Sequence, residues 1–118
     1  MIQEQKRATK IIAELTMYFL AMGSTRISST ILQEDGCGTI TFQANYRPED
    51  KQKLEKLEKT LNQQRYDSIE EVYWELAGSG DGDFGGSDQL MLVGMMVDRA
   101  EVRLEDEFVY LTLYRSFR

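Results

Sequence analysis

The residues best suited to chemistry gather around one glycine-rich segment. Gly80-Asp81-Gly82-Asp83-Phe84-Gly85 spells GxGxxG just ahead of a predicted helix. A dinucleotide site of that spelling needs a strand before the loop, and here a helical pattern ends there. Two aspartates in the loop would also repel a pyrophosphate, so the run reads as a flexible loop. The carboxylates Asp81, Asp83 and Asp88 could instead hold a divalent cation. A twelve-residue calcium loop begun at Asp81 would put Gly86 correctly at the sixth position. It would put Leu92 where a bidentate Glu is required and Gly85 where an Asp or Asn should stand. A weak site of another geometry and a solvated acidic loop both remain open.

The chain contains no histidine. That removes the usual general base and the commonest metal ligand, and leaves carboxylates, Lys, Tyr, Ser and Thr for any catalysis. Cys37 lies between two glycines, accessible but with no histidine to activate it, and reads as a small residue beside a turn. As the single cysteine, it excludes an internal disulfide and a Cys-based zinc cluster, and suits a reducing cytoplasm. Glu70, Glu71 and Glu75 cluster with Tyr73 and Trp74 on a predicted helix. Paired carboxylates can do acid–base work, but helices commonly carry such a solvated face. Trp74 is the stronger candidate there, as a core anchor or an interface residue.

The charge balance narrows the partners. With 20 acidic and 14 basic residues the net charge is −6, so the chain lacks the basic stripe that binds nucleic acid and is disfavoured at anionic membranes. The apolar run Ile11–Met22 follows Lys6, Arg7 and Lys10, but it contains Glu14 and falls short of the roughly 20 apolar residues a bilayer span needs. It reads as a helix facing a core. The length of 118 residues fits one domain, residues 1–118, with a core of its own.

These residues must be positioned by a small set of elements. A helix is predicted over residues 2–22, with Ile11, Leu15, Phe19 and Met22 as its stripe, Ile12 and Leu20 widening it, and Gly23 as its stop. Residues 25–33 fit a strand or a helix. A turn at 34–38 leads into a strand over 39–46, with Ile40, Phe42, Ala44 and Tyr46 on one face and Thr39, Thr41, Gln43 and Asn45 on the other. Pro48, Glu49 and Asp50 open a surface helix to about residue 64 along Leu54, Leu57 and Leu61. Ser68-Ile69-Glu70-Glu71 matches a capping box and starts another helix, to about residue 77. Residues 88–97 are apolar all round and predict a buried helix, in which Gly94 permits close approach of a neighbour. Ala100, Val102 and Leu104 form a one-sided strand. A tight turn at Asp106 leads to a last strand, 107–115, apolar on both faces and therefore central or doubly covered.

The tail carries a resemblance. Gly85-Gly86-Ser87-Asp88-Gln89-Leu90-Met91-Leu92-Val93, Val97-Asp98-Arg99-Ala100-Glu101-Val102 and Phe108-Val109-Tyr110-Leu111-Thr112-Leu113-Tyr114-Arg115 together resemble the end of a histidine-kinase-type or anti-sigma-factor-type ATPase domain. That family closes with a glycine-rich lid, a buried helix, a strand and a last strand of alternating apolar residues. The chain departs from it where nucleotide would bind. Phe19-Leu20-Ala21-Met22-Gly23 lacks the Asn that holds Mg–ATP on the family's first helix. Tyr46 leads into Pro48 rather than into a DxGxG adenine site, and Gln89 replaces the glycine that opens the last helix. The resemblance thus implies a degenerate ATPase scaffold, kept for signalling through protein contacts.

The expected fold is α+β, a two-layer sandwich with a mixed or antiparallel sheet of three to five strands and helices mainly on one face. The expected function is a non-catalytic regulatory or interaction module, cytoplasmic, without a cofactor, that binds a protein partner or a second copy through Tyr73, Trp74 and Phe84. One alternative is a small protein that binds Mg–nucleotide or a divalent metal at Asp81, Asp83 and Asp88; another is a structural dimer built on an exposed edge strand.

Overall fold

A computed structural model of the chain describes residues 2–62 and 86–116. Helix α1, Ile2–Ala21, buries Ala8, Ile11, Leu15 and Phe19, whose spacings of three and four place them on one face. Ile12 widens that stripe as expected. Leu20 does not: it is 57% exposed, because one residue beyond Phe19 the helix has turned about 100° away from the core. The helix stops at Gly23, whose φ of +103° is cheap only for glycine. The Ser24 N–H donates to the Phe19 carbonyl at 2.9 Å and the Gly23 N–H to the Leu20 carbonyl at 3.0 Å, a Schellman ending.

Strands β1 (Ile27–Glu34) and β2 (Cys37–Asn45) follow, which resolves the ambiguous stretch 25–33 as strand from Ile27 onward. Asp35 and Gly36 both have positive φ, 52° and 76°, the combination that closes a two-residue hairpin with the right-handed twist of its strands. Asn45 fixes the way in. Its side-chain oxygen accepts from the Thr25 and Arg26 N–H groups, each at 2.9 Å, while Ser24 Oγ donates to its backbone carbonyl at 2.6 Å.

The helix expected from Pro48 is broken into a 3-10 turn, Pro48–Asp50, then α2, Lys51–Glu55, and α3, Leu57–Leu61. Lys56 tightens the backbone between the last two, its N–H bonding to the Lys53 carbonyl. Leu54, Leu57 and Leu61 nevertheless share one buried stripe. The helix predicted over 68–77 lies outside the described residues.

Helix α4, Gly86–Met96, is buried through Leu90, Leu92, Val93 and Met96. A Cβ at Gly94 would lie 2.8 Å from the Thr60 carbonyl oxygen and 3.3 Å from Leu61 Cα, so glycine is what allows α3 and α4 to touch. Strands β3 (Arg99–Glu105) and β4 (Phe108–Ser116) form the second hairpin. Asp98 secures its entry, its N–H bonded to the Tyr114 carbonyl at 2.7 Å and its carboxylate accepting from the Ser116 N–H at 2.6 Å.

The fold is α+β in two layers. All four strands are antiparallel in the order β1-β2-β4-β3, so β2 and β4 pair to join the two hairpins. Ile40, Phe42, Ala44, Ala100, Val109, Leu111 and Leu113 are buried on one face beneath the helices. Helix α1 lies against β1, β2 and α4, and α3 against α4 and β3. Strand β4 is interior, as its composition predicts, but only one of its faces lies under the helices. Buried Arg115 ends that row, its guanidinium donating to the Met96 carbonyl.

Candidate functional site

The face of the sheet away from the helices is a polar lattice set by the strand register. Ser28 and Thr30 of β1 stand beside Gln43 and Thr41 of β2. These stand beside Tyr110 and Thr112 of β4, and these beside Arg103 and Glu101 of β3. The side chains share a face because residues alternate along each strand. At the centre is a shallow depression of about 250 Å³ floored by these groups other than Glu101.

The aromatic residues on this face explain why β4 is apolar on both sides. The Arg103 guanidinium lies 4.4 Å from the centre of the Tyr110 ring and that of Arg99 lies 4.2 Å from the Tyr114 ring. Cations over ring faces are favourable by about 0.5–1 kcal/mol at exposed sites. Each arginine also pairs along its own strand, Arg99 with Glu101 at 2.8 Å and Arg103 with Glu105 at 2.5 Å. The charges are therefore matched in place. What the face offers is hydrogen-bonding hydroxyls and amides, among which the Tyr114 hydroxyl donates to the Glu101 carboxylate at 3.3 Å.

The two edges of the sheet differ more than its faces. On β3, the Asn62 amide bonds Ala100 in both directions. Its Nδ2 donates to the Ala100 carbonyl at 2.8 Å and its Oδ1 accepts from the Ala100 N–H at 2.9 Å. Two residues on, Glu58 accepts from the Val102 N–H at 3.3 Å. Helix α3 thus covers an edge whose backbone groups would otherwise be unpaired.

Among the described residues no such cover lies on β1. Every residue from Ser28 to Glu34 is exposed, and between Arg26 and Glu34 the sequence Ile-Ser-Ser-Thr-Ile-Leu-Gln has neither charge nor proline. The pairing with β2 is continuous, without a bulge. The usual devices that blunt an edge are absent from this strand. The large hydrophobic side chains exposed among the described residues are Ile31 and Leu32 on β1 and Met17 and Leu20 on α1, the helix that lies against β1 and β2.

A second polar cluster joins α1 to the 3-10 turn. The side chain of Asp50 is 8% exposed and lies 3.3 Å from Arg47 Nε and 4.0 Å from Lys53 Nζ. Burial, and then the negative charge of Asp50, raise the Tyr18 hydroxyl above its ordinary pKa of 10.0. Tyr18 meets Phe19 edge-on, and Phe19 packs on Phe42. Of residues 19–23, among which the ATPase resemblance would want an Asn, Phe19 is thus part of the core, whereas Leu20, Ala21 and Gly23 are exposed.

Of the residues singled out by sequence, Asp81, Asp83, Tyr73, Trp74 and Phe84 lie outside the described residues, as do Glu70, Glu71 and Glu75. Asp88 falls in the first turn of α4. Cys37 is exposed and opens β2 directly after the turn. Among the described residues no three His, Cys, Asp or Glu side chains group as a metal site, and no helix is long and apolar enough to cross a membrane. Sequence reading allowed for an exposed edge strand but did not place it at β1, although a charge-free run bounded by Arg26 and Glu34 was its available signal. It could not show the amide of Asn62 reaching Ala100, 38 residues away. Compared with known proteins, the chain matches no protein-family profile and no curated protein.

Proposed function

We propose that this protein is a non-catalytic interaction module of the cytoplasm that engages protein through the β1 side of its sheet. The observation that carries the reading is the contrast between its two edges. One is closed by Asn62 and Glu58, and the other presents an exposed, charge-free strand. Added strands use such edges, with backbone bonds giving affinity and alternate side chains giving specificity.

The order of elements is in keeping with a degenerate ATPase scaffold in signalling: a helix, a hairpin, further helices, a buried helix and a last hairpin. Two features favour contacts over nucleotide on that scaffold. In residues 19–23, the region where the family's Mg–ATP Asn would be sought, no Asn stands and Phe19 is fully buried. Strand β2 ends at Asn45, whose side chain is committed to the backbone of Thr25 and Arg26.

Thermal unfolding with Mg–ATP, Mg–ADP and Mg alone tests this. A ligand at about 100 times its dissociation constant stabilises by roughly 2.7 kcal/mol, which moves the midpoint of a domain this size by several degrees. The module reading expects unchanged midpoints. A shift with Mg–nucleotide, or with Mg alone, would overturn it in favour of a nucleotide- or metal-binding protein.

A further inference from the structure

We propose that the partner on the β1 edge is a second copy of this chain, paired antiparallel about a two-fold axis that passes between the two Thr30 residues. This rests on the interaction-module reading and names its occupant. The argument starts from which backbone groups are free. A two-residue hairpin closes with a hydrogen-bonded pair, here Glu34 with Cys37. Bonding residues alternate from there, so Leu32, Thr30 and Ser28 point their N–H and C=O groups at β2. The Asn45 N–H bonding to the Arg26 carbonyl at 3.2 Å keeps that phase at the far end. Ile27, Ser29, Ile31 and Gln33 therefore direct theirs outward.

A strand pairing with its own copy must set outward residues against outward residues. A register centred on Thr30 places Ile27 against Gln33 of the second copy and Ser29 against its Ile31, and the converse. All four outward residues of each copy are then used, in about eight new backbone bonds at two per pair. Shifting the centre to Ser29 or to Ile31 leaves one outward residue of each copy beyond the other's strand.

Charge selects the same register. With Thr30 at the centre, Arg26 of each copy stands opposite Glu34 of the other, at both ends of the seam. Centring on Ile31 would set Glu34 against Ser28, and centring on Ser29 would set it against Ser24, so neither makes the ion pair. The two-fold axis is perpendicular to the sheet, so both helical layers lie on the same side. Ile31, 42% exposed, then has Ser29 of the second copy opposite it and the second Ile31 on its diagonal, within reach of a large side chain. Leu32, 53% exposed, gains Ser28 opposite and Thr30 on its diagonal. The result is one eight-stranded sheet, twice the four strands of one chain.

The test combines mass and register. Sedimentation over a wide range of concentration should show a monomer–dimer equilibrium. Ile31→Lys, which puts a charge on an exposed edge position and leaves the ladder to β2 intact, should be monomeric with an unchanged far-ultraviolet spectrum. In a Cys37→Ser background, Thr30→Cys should oxidise to a disulfide-linked dimer, because facing residues of a non-hydrogen-bonded pair lie about 4.5 Å apart at Cα, within disulfide reach. Ser28→Cys and Leu32→Cys should not, since their sulfur-bearing residues would stand roughly 13 Å from their copies. Arg26→Glu should weaken the dimer about tenfold, and Arg26→Glu with Glu34→Arg should restore it. A monomeric mass at all concentrations, or cross-linking of the three cysteine variants alike, would overturn the proposal. Its failure is distinct from failure of the module reading: a monomer without a Mg–nucleotide shift loses only the self-pairing, whereas a shift overturns the module whatever the mass.

Discussion

Replacing Asn62 by alanine isolates the device that closes the β3 edge. The substitution removes two hydrogen bonds to the Ala100 backbone, at 2.8 and 2.9 Å, and a third from Nδ2 to the Glu58 carbonyl at 2.7 Å. Net contributions of such bonds are about 1 kcal/mol each. Ala100 is 3% exposed, so its freed N–H and C=O recover only part of their hydration, which raises the cost. Asn62 itself is exposed, so water can enter where its side chain was, which lowers it. The two corrections oppose each other, and a loss of about 3 kcal/mol follows. Alanine's helix propensity offers little compensation, because Asn62 follows α3 as its cap, with φ of −99° and ψ of 30°.

Urea unfolding measures this directly: the midpoint concentration should fall while the slope stays constant, and the thermal midpoint should drop by about 12 °C. Asn62→Asp sharpens the test. It keeps an acceptor for the Ala100 N–H but turns a carboxylate toward the Ala100 and Glu58 carbonyls, so at neutral pH it should be about as costly as alanine. On acidification the protonated carboxyl regains a donor and the difference from wild type should shrink. An Asn62→Ala variant within about 0.5 kcal/mol of wild type, the range of an ordinary surface change, would refute the edge-cover argument.

Two further outcomes follow from the packing and the titration. Gly94→Ala should lower stability by about 1–2 kcal/mol despite alanine's better helix propensity, because the atoms its Cβ would meet are the Thr60 and Leu61 backbone; a rise in urea midpoint would show that α3 shifts freely. The hydroxyl of Tyr18 is raised above 10.0 by burial and by Asp50, so the folded state holds that proton more tightly than the unfolded chain. Stability from this group is complete below pH 10 and is lost as pH rises through the folded value, and a pH series of urea midpoints should lose part of its alkaline slope in Tyr18→Phe.

What was legible in the sequence followed from periodicity. Ile11, Leu15 and Phe19 at spacings of four, and Ile40, Phe42 and Ala44 at spacings of two, report one-sided burial, and all six are in the core. Gly94 announced a close approach before its neighbour was known. Strand β1 was ambiguous for a physical reason: both its faces are exposed, so burial imposes no pattern on its residues, and its strand state comes from the hairpin turn and the pairing to β2. The single helix expected from Pro48 failed because Leu54, Leu57 and Leu61 fit a bent path as well as a straight one, and hydrophobic spacing does not distinguish them. The carboxylates and aromatics proposed as the site lie mostly outside the described residues, and the surface that now carries the functional reading consists of backbone groups, which side-chain motifs do not mark.

The asymmetry between the edges also bears on how far assembly can go. A sheet with two open edges can add neighbours on both sides, and repeated pairing then builds a fibre. A sheet with one open edge stops after one pairing when that edge is self-complementary, as β1 is in the register centred on Thr30. On this reading Asn62 and Glu58 limit the assembly to a closed dimer as well as stabilising the fold. The lost hydrogen bonds of Asn62→Ala and the newly exposed edge are then two consequences of one change, separable by experiment. The first lowers the urea midpoint at any protein concentration. The second requires β1 pairing to continue on the far side of the sheet, so masses above the dimer should vanish when Ile31→Lys is added, while the loss in midpoint measured at low concentration persists.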